Sequence, residues 1–170
     1  VEMIRHIKIA RDTAVKCRSQ AIITLKTLII NAPVELRGIL DQIKGKVGLV
    51  RHIAAFKTSE ISSTLASAKM AMRALAKRWL MLNDEIREHD KTLETLIEAK
   101  APSLLKAHGI ATMTIAEIFI LIGDEPSRIK SEAALAKLCG VCPIPASSGK
   151  PHRFRLNRGG NRQANAALYR

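Results

Sequence analysis

Met3, Ile7, Ala10, Ala14, Cys17, Ala21, Thr24 and Leu28 follow one another at spacings of four and three, the repeat of a heptad seam along one helix. The small residues in its middle let a partner helix approach closely. Arg5, Lys8, Arg11, Lys16, Arg18 and Lys26 fall largely off this seam, so the expectation is a helix over 1–31 with a basic outer surface in water. Asn31 and Pro33 end it, because proline lacks an amide donor and disfavours helix in the residue before it. A second seam, Ile61, Leu65, Ala68, Met72, Leu75, Trp79, Leu82, Ile86, His89, Leu93 and Leu96, keeps the same spacing without a slip. With Thr58 and Ser59 as N-caps it predicts a helix over 59–99, about 60 Å long at 1.5 Å per residue. Residues 32–58, broken by Gly38, Gly45 and Gly48 into short helices, read as a connector. Residues 1–100 are therefore expected to form a long antiparallel coiled-coil helical hairpin that can pair further between chains, with a compact helical bundle as the alternative.

Pro102 opens a second region, 101–170. Residues 103–125 predict helix, a tight turn at His108-Gly109, a second apolar helix and a stop at Gly123-Asp124. This is the outline of a helix-hairpin-helix, whose turn offers backbone N–H groups to a phosphate. Ala111 stands where that motif usually has its second glycine and Ile115 where it usually has alanine, so a purely structural helical hairpin is the other reading. Residues 131–138 predict a short helix capped by Ser131. The fold class is mainly α: a coiled-coil hairpin, then a small helical domain with a helix-hairpin-helix-like element and a basic loop.

Charge changes the picture. Against 15 Asp and Glu stand 28 Lys and Arg, a formal net charge of +13, which points to a polyanionic partner, with nucleic acid first. Aromatic residues make up only 3% of the chain, which argues against stacking bases across an aromatic sheet and for backbone and shape contacts. No apolar run approaches a membrane span and no signal-peptide pattern opens the sequence, so a soluble, cytoplasmic protein without a membrane partner is expected. The sequence starts at Val1 and stops at Arg170 inside a helical pattern, which reads as a piece of a longer protein. Its three cysteines, an odd number, read as reduced thiols.

The densest chemistry lies in "PASSGKPHRFRLNRGGNRQ", residues 145–163. Ser147, Ser148 and Gly149 sit between two prolines and are expected in a turn. Lys150, His152, Arg153, Arg155, Arg158 and Arg162 follow, with Gly159-Gly160-Asn161 able to open a last helix, and no carboxylate occurs from Ala133 to Arg170. Such a stretch holds a backbone phosphate well. A serine hydroxyl beside that phosphate is placed to attack it but needs a base or a metal, and His152 is the only local base. On residues alone, phosphate binding is favoured over catalysis. Cys139 and Cys142 form a C-x-x-C, yet one pair is too few ligands for structural zinc and lacks the βαβ setting of a redox motif. Two packed thiols are expected. The five histidines are scattered, and no metal site is expected in this chain.

Residues 108–170, with their Gly-Ile turn, Ile-Gly-Asp stop, helix leading to a Gly-x-x-Pro, Ser-Gly, basic stretch and Arg-Gly-Gly-Asn before the last helix, resemble the C-terminal transposase domain of the insertion sequence 110 family. These are bridge-RNA-guided recombinases of bacterial mobile elements. Residues 10–37 also resemble the basic helix that follows that family's catalytic N-terminal domain. The resemblance implies an RNase H-like domain with a DEDD carboxylate set, absent from this sequence, that binds divalent metal, Mg2+ being expected there and no cofactor in the present residues. It further implies that Ser148 attacks a DNA phosphodiester to form a covalent phosphoserine link, with Ser147 as the alternative nucleophile. Cys139 and Cys142 depart from the family in standing where apolar residues are expected.

The combined expectation is part of a transposase or recombinase that binds DNA and guide RNA, is inactive in this portion alone, and forms a homo-oligomer through its coiled coil. Its nucleic-acid contacts are expected from Gly109, Gly149, Lys150, His152, Arg153, Arg155, Arg158, Gly159, Gly160, Asn161 and Arg162, and from Arg11, Lys16 and Arg18 on the first helix. The alternative is a non-enzymatic, architectural nucleic-acid-binding protein with a coiled coil and a helix-hairpin-helix.

Overall fold

The computed structural model describes residues 1–57, 60–147, 149 and 152–169. Among them the fold is mainly α: α1 (Glu2–Ile30), α2 (Val34–Asp41), α3 (Lys46–Ala54), α4 (Thr64–Lys100), α5 (Pro102–Leu105), α6 (Thr112–Ile122), α7 (Glu132–Leu138) and α8 (Arg162–Tyr169). A two-stranded antiparallel ribbon, β1 (Ile144–Pro145) and β2 (Phe154–Arg155), accompanies them. The chain packs as two compact units, one of residues 9–90 and the other of residues 1–8 and 91–170.

In the 9–90 unit, α1 and α4 run antiparallel. The Arg11 guanidinium donates to Asp90 and the Arg18 guanidinium to Asn83, at 2.5 and 2.7 Å. Residues 32–58 are more than a connector. Leu36 and Leu40 of α2 and Val50 and Ile53 of α3 are buried together with Ala21, Leu25 and Ile29 of α1 and Met72, Ala76 and Trp79 of α4. Four helices thus share one core, and this unit is a helical bundle. Gly38 and Gly48 do not separate helices; they lie inside α2 and α3, where the flanking apolar residues keep the helical period. Only Gly45, at a φ of +86° that few other residues tolerate, breaks the chain between them.

The long helix begins at Thr64, and the Ser63 hydroxyl accepts from the Ala66 amide at 3.2 Å. The expected caps Thr58 and Ser59 lie outside the described residues. Ile61 precedes the helix and is exposed. From Leu65 onward the seam of α4 is buried or half-buried throughout.

The buried face of α1 differs from the expected one by about one residue. Ile4, Lys8, Ala14, Ala21, Leu25 and Ile29 are buried, whereas Met3 and Cys17 are exposed. Lys8, Arg11 and Arg18, expected in water, instead lie on or beside the packed face. Lysine and arginine carry aliphatic stems that bury well once the charged head has a partner. Arg11 reaches Asp90 and Asp12, and Arg18 reaches Asn83 and stands 5.7 Å from the Trp79 ring centroid. Lys16 and Lys26 are exposed, as expected.

In the other unit, Ile4, Leu93, Ile97, Ile115 and Ala116 form the core, with Leu105, Ile110 and Phe119 packed around it. The Lys8 ammonium meets the Glu117 carboxylate at 2.5 Å, with 9% and 14% of the two side chains exposed. The expected helix, turn and helix over 103–125 is present: one turn of α5, Gly109 at a φ of +79°, and α6 ending at Gly123. Ser131 caps α7, accepting from the Ala134 amide at 3.2 Å. Helix α8 lies on α6, with Ala164 and Ala167 buried. No helix among the described residues is long and apolar enough to cross a membrane.

Losing the carboxylate that meets a buried ammonium is destabilising. Glu117→Ala is expected to cost about 3 kcal/mol, read as faster amide exchange in α6, with most of the loss recovered in Lys8→Met/Glu117→Leu. Gly38 is exposed inside α2 with open space around a Cβ. Gly38→Ala is therefore expected to stabilise the 9–90 unit by about 0.5–1 kcal/mol in urea unfolding followed by Trp79 fluorescence.

Candidate nucleic-acid interface

The basic segment is built as a ribbon between α7 and α8. Ile144 pairs with Arg155 and Pro145 with Phe154, and the Ala146 amide extends the ladder by donating to the Arg153 carbonyl at 2.8 Å. Ser147 closes it. Its hydroxyl accepts from the Arg153 amide at 2.8 Å and lies 3.4 Å from the Arg153 carbonyl. This serine is thus a main-chain partner of the opposite strand. Ser148, Lys150 and Pro151 lie outside the described residues. Gly149, at a φ of +117°, stands exposed in the turn.

Beyond the turn, His152, Arg153, Arg155, Arg158 and Arg162 are all exposed. None of these five has a carboxylate ion-pair partner among the described residues. A run of free guanidinium groups with no acid from Ala133 onward presents one sign of charge to solvent, which suits phosphates.

The Arg-Gly-Gly-Asn stretch has a structural role. A Cβ placed on Gly160 would stand 2.2 Å from the Cα and N of Gly140, and one on Gly140 would stand 3.1 Å from the Gly160 Cα. The two backbones touch, which no residue with a side chain allows. Beside this contact the Asn161 amide donates to the Leu138 carbonyl at 2.7 Å, and the Asn165 side chain donates to the Gly140 carbonyl at 3.3 Å. The Asn161 side chain caps α8, accepting from the Gln163 and Ala164 amides at 2.9 and 3.0 Å. Asn157 accepts from the Gly159 amide at 2.9 Å. The cap and the glycine contact together fix where β2 ends and α8 begins.

The C-x-x-C divides into a buried Cys139 and a half-buried Cys142. Burial pushes the Cys139 thiol above its usual pKa, keeping it protonated and unreactive at neutral pH. Gly140, between the two, is the residue this stretch supplies to the glycine contact. Among the described residues no group of three or more His, Cys, Asp or Glu is placed to hold a metal ion.

The residues expected to bind nucleic acid fall in two places. Gly109 and all the described ones from Gly149 to Arg162 belong to one unit, and Arg11, Lys16 and Arg18 to the other. Of the latter three, Lys16 is exposed, while Arg11 and Arg18 are committed to partners within the bundle. Sequence reasoning missed the ribbon and the Gly140–Gly160 contact. A signal for the first was present in the alternation Arg153, Phe154, Arg155, Leu156, which has a strand's period of two.

Residues 101–170 match the family model described as Transposase IS116/IS110/IS902 family. Over these residues the chain is similar to a segment of that transposase family. The match takes in α5 to α8, the ribbon and the glycine contact, so the basic surface just described lies within the matched residues. No curated protein and no solved structure matches the chain.

Gly160→Ala drives a methyl group into the Gly140 backbone, which cannot rotate away as a flexible side chain can. It is expected to destabilise residues 101–170 by about 3 kcal/mol, seen as lost amide protection at Asn161 and through α8. Unchanged protection in that variant would contradict the close approach.

Proposed function

We propose that this chain is part of a DNA transposase in which residues 145–163 grip DNA phosphates and Ser148 is the nucleophile of strand cleavage. The exposed, acid-free basic ribbon within the family-matched segment is the observation that carries this reading. Ser147 is engaged by the Arg153 amide as part of the ribbon, which favours its neighbour for the chemistry. In the step itself, the Ser148 hydroxyl oxygen attacks a phosphodiester phosphorus. An O–P bond forms to serine, the bond to one strand end breaks, and the serine proton passes on balance to the released strand-end oxygen. The bond count is conserved, so the linkage can be reversed by a second strand end. Transfer between strands follows from that reversal.

A divalent metal does not fit the described residues, which offer no ligand cluster and no carboxylate beyond Glu132. The resemblance to the insertion sequence 110 family assigns Mg2+ to a carboxylate domain outside this sequence. Guide RNA would lie on the exposed lysines of α1, Lys16 and Lys26, since Arg11 and Arg18 are engaged within the bundle. Self-association through α1 has support in Ile9, Ile23 and Ile30, which share one heptad register and are 59%, 58% and 67% exposed. The cytoplasm is where such a protein meets both nucleic acids.

The test uses the full-length protein with its RNA, target DNA and magnesium, and scores a denaturant-resistant protein–DNA adduct. Wild type and Ser147→Ala are expected to form it and Ser148→Ala to lose it, while all three bind DNA. Adduct formation by Ser148→Ala would falsify the assignment. A wild type that binds DNA yet never forms an adduct favours the architectural alternative.

A further inference from the structure

The β1–β2 ribbon has a face that phosphate binding does not use. Cross-strand partners share a side of a ribbon, so Ile144 and Arg155 point one way and Pro145 and Phe154 the other. Phe154 is 65% exposed and Leu156, two residues on, is 72% exposed, and Pro145 opposite Phe154 is exposed as well. No part of the described unit covers them. An uncovered phenyl ring is unusual in a chain with so few aromatic residues. Its immediate neighbours in sequence are Arg153 and Arg155, both exposed, and Arg158 follows.

We propose that the ribbon is a DNA wedge: Phe154, backed by Pro145 and Leu156, stacks on a base of the strand whose phosphates Arg153, Arg155 and Arg158 hold. Charge complementarity selects the occupant. Exposed arginines precede and follow Phe154 in sequence, within a stretch that has no carboxylate, a setting that repels a basic protein surface and attracts a polyanion. Among polyanions, nucleic acid also carries flat apolar surfaces, and apolar side chains inserted beside a base step are a recurrent way to unstack it. A single ring does this without the aromatic sheet that the composition excludes. The inference rests on reading residues 145–163 as a DNA-binding segment. It adds that the ribbon opens the stack close in sequence to the proposed nucleophile, where an attacked phosphodiester must be exposed.

The experiment uses the full-length protein and oligonucleotides, single-stranded and duplex, with 5-iododeoxyuridine in place of thymidine. After irradiation, the DNA-linked peptide of wild type is expected to contain Phe154. Phe154→Ala is expected to lose that cross-link and to bind single-stranded DNA about tenfold more weakly, while Phe154→Trp keeps both. Because the ring makes no core contact, Phe154→Ala should match wild type in thermal unfolding. A wild type that binds DNA without a cross-link at Phe154, or a Phe154→Ala variant of undiminished affinity, overturns the proposal. Scoring the covalent adduct in the same samples separates the two readings. An intact adduct with no Phe154 cross-link sinks the wedge alone, and a Phe154 cross-link without any Ser148-dependent adduct sinks the nucleophile alone.

Discussion

The family-matched segment depends on a place where two glycines meet. Gly160 lies so close to Gly140 that a single methyl group on it would overlap main-chain atoms at 2.2 Å. That contact brings the end of α7 against the start of α8, and the neighbouring Asn161 amide and side chain turn it into a junction of hydrogen bonds. Helix α8 in turn packs on α6, whose Ile115 and Ala116 belong to the core of the unit. The stretch from Cys142 to Arg158, whose described residues have little burial of their own, is thereby held at both ends. Ser147 then holds it across its middle. An exposed basic ribbon needs such bracing, because repulsion among its arginines opposes any compact arrangement.

Charge is handled in two different ways along the chain. On α1, Lys8, Arg11 and Arg18 are drawn into packed surroundings and matched with Glu117, Asp90 and Asn83. These cations position helices and are largely spent within the protein. From Ala133 onward there is no acid to match the arginines, and Arg153, Arg155, Arg158 and Arg162 face solvent. The net charge of +13 is therefore an uneven indicator of where a polyanion binds. Unpaired, exposed groups attract it; paired ones shape the scaffold.

Much of this was legible in the sequence, for identifiable reasons. The seam of α4 is long and regular, so its period survived tertiary packing almost residue for residue, and Asn31-Pro33, Gly109, Gly123 and Ser131 mark ends and turns by local chemistry alone. The face of α1 was misplaced because Lys8 and Arg11 look like solvent residues until their partners, distant in sequence, are known. The short helices α2 and α3 were read as a connector because glycines inside them hid an apolar period that only the shared core reveals. At the site, the basic residues and the turn were visible, but the ribbon was not: its strands are two residues long and paired across a gap of eight residues. Gly140 was obscured by the two cysteines around it, which invite chemical readings more readily than a glycine does.

The most direct measurement is to locate the DNA on the protein. A covalent complex trapped from the wild-type, full-length protein, digested with nuclease and protease and mapped by mass spectrometry, is predicted to carry its nucleotide remnant on Ser148. A remnant on Ser147, on any other residue, or on none in a complex that has cut its DNA would contradict the account.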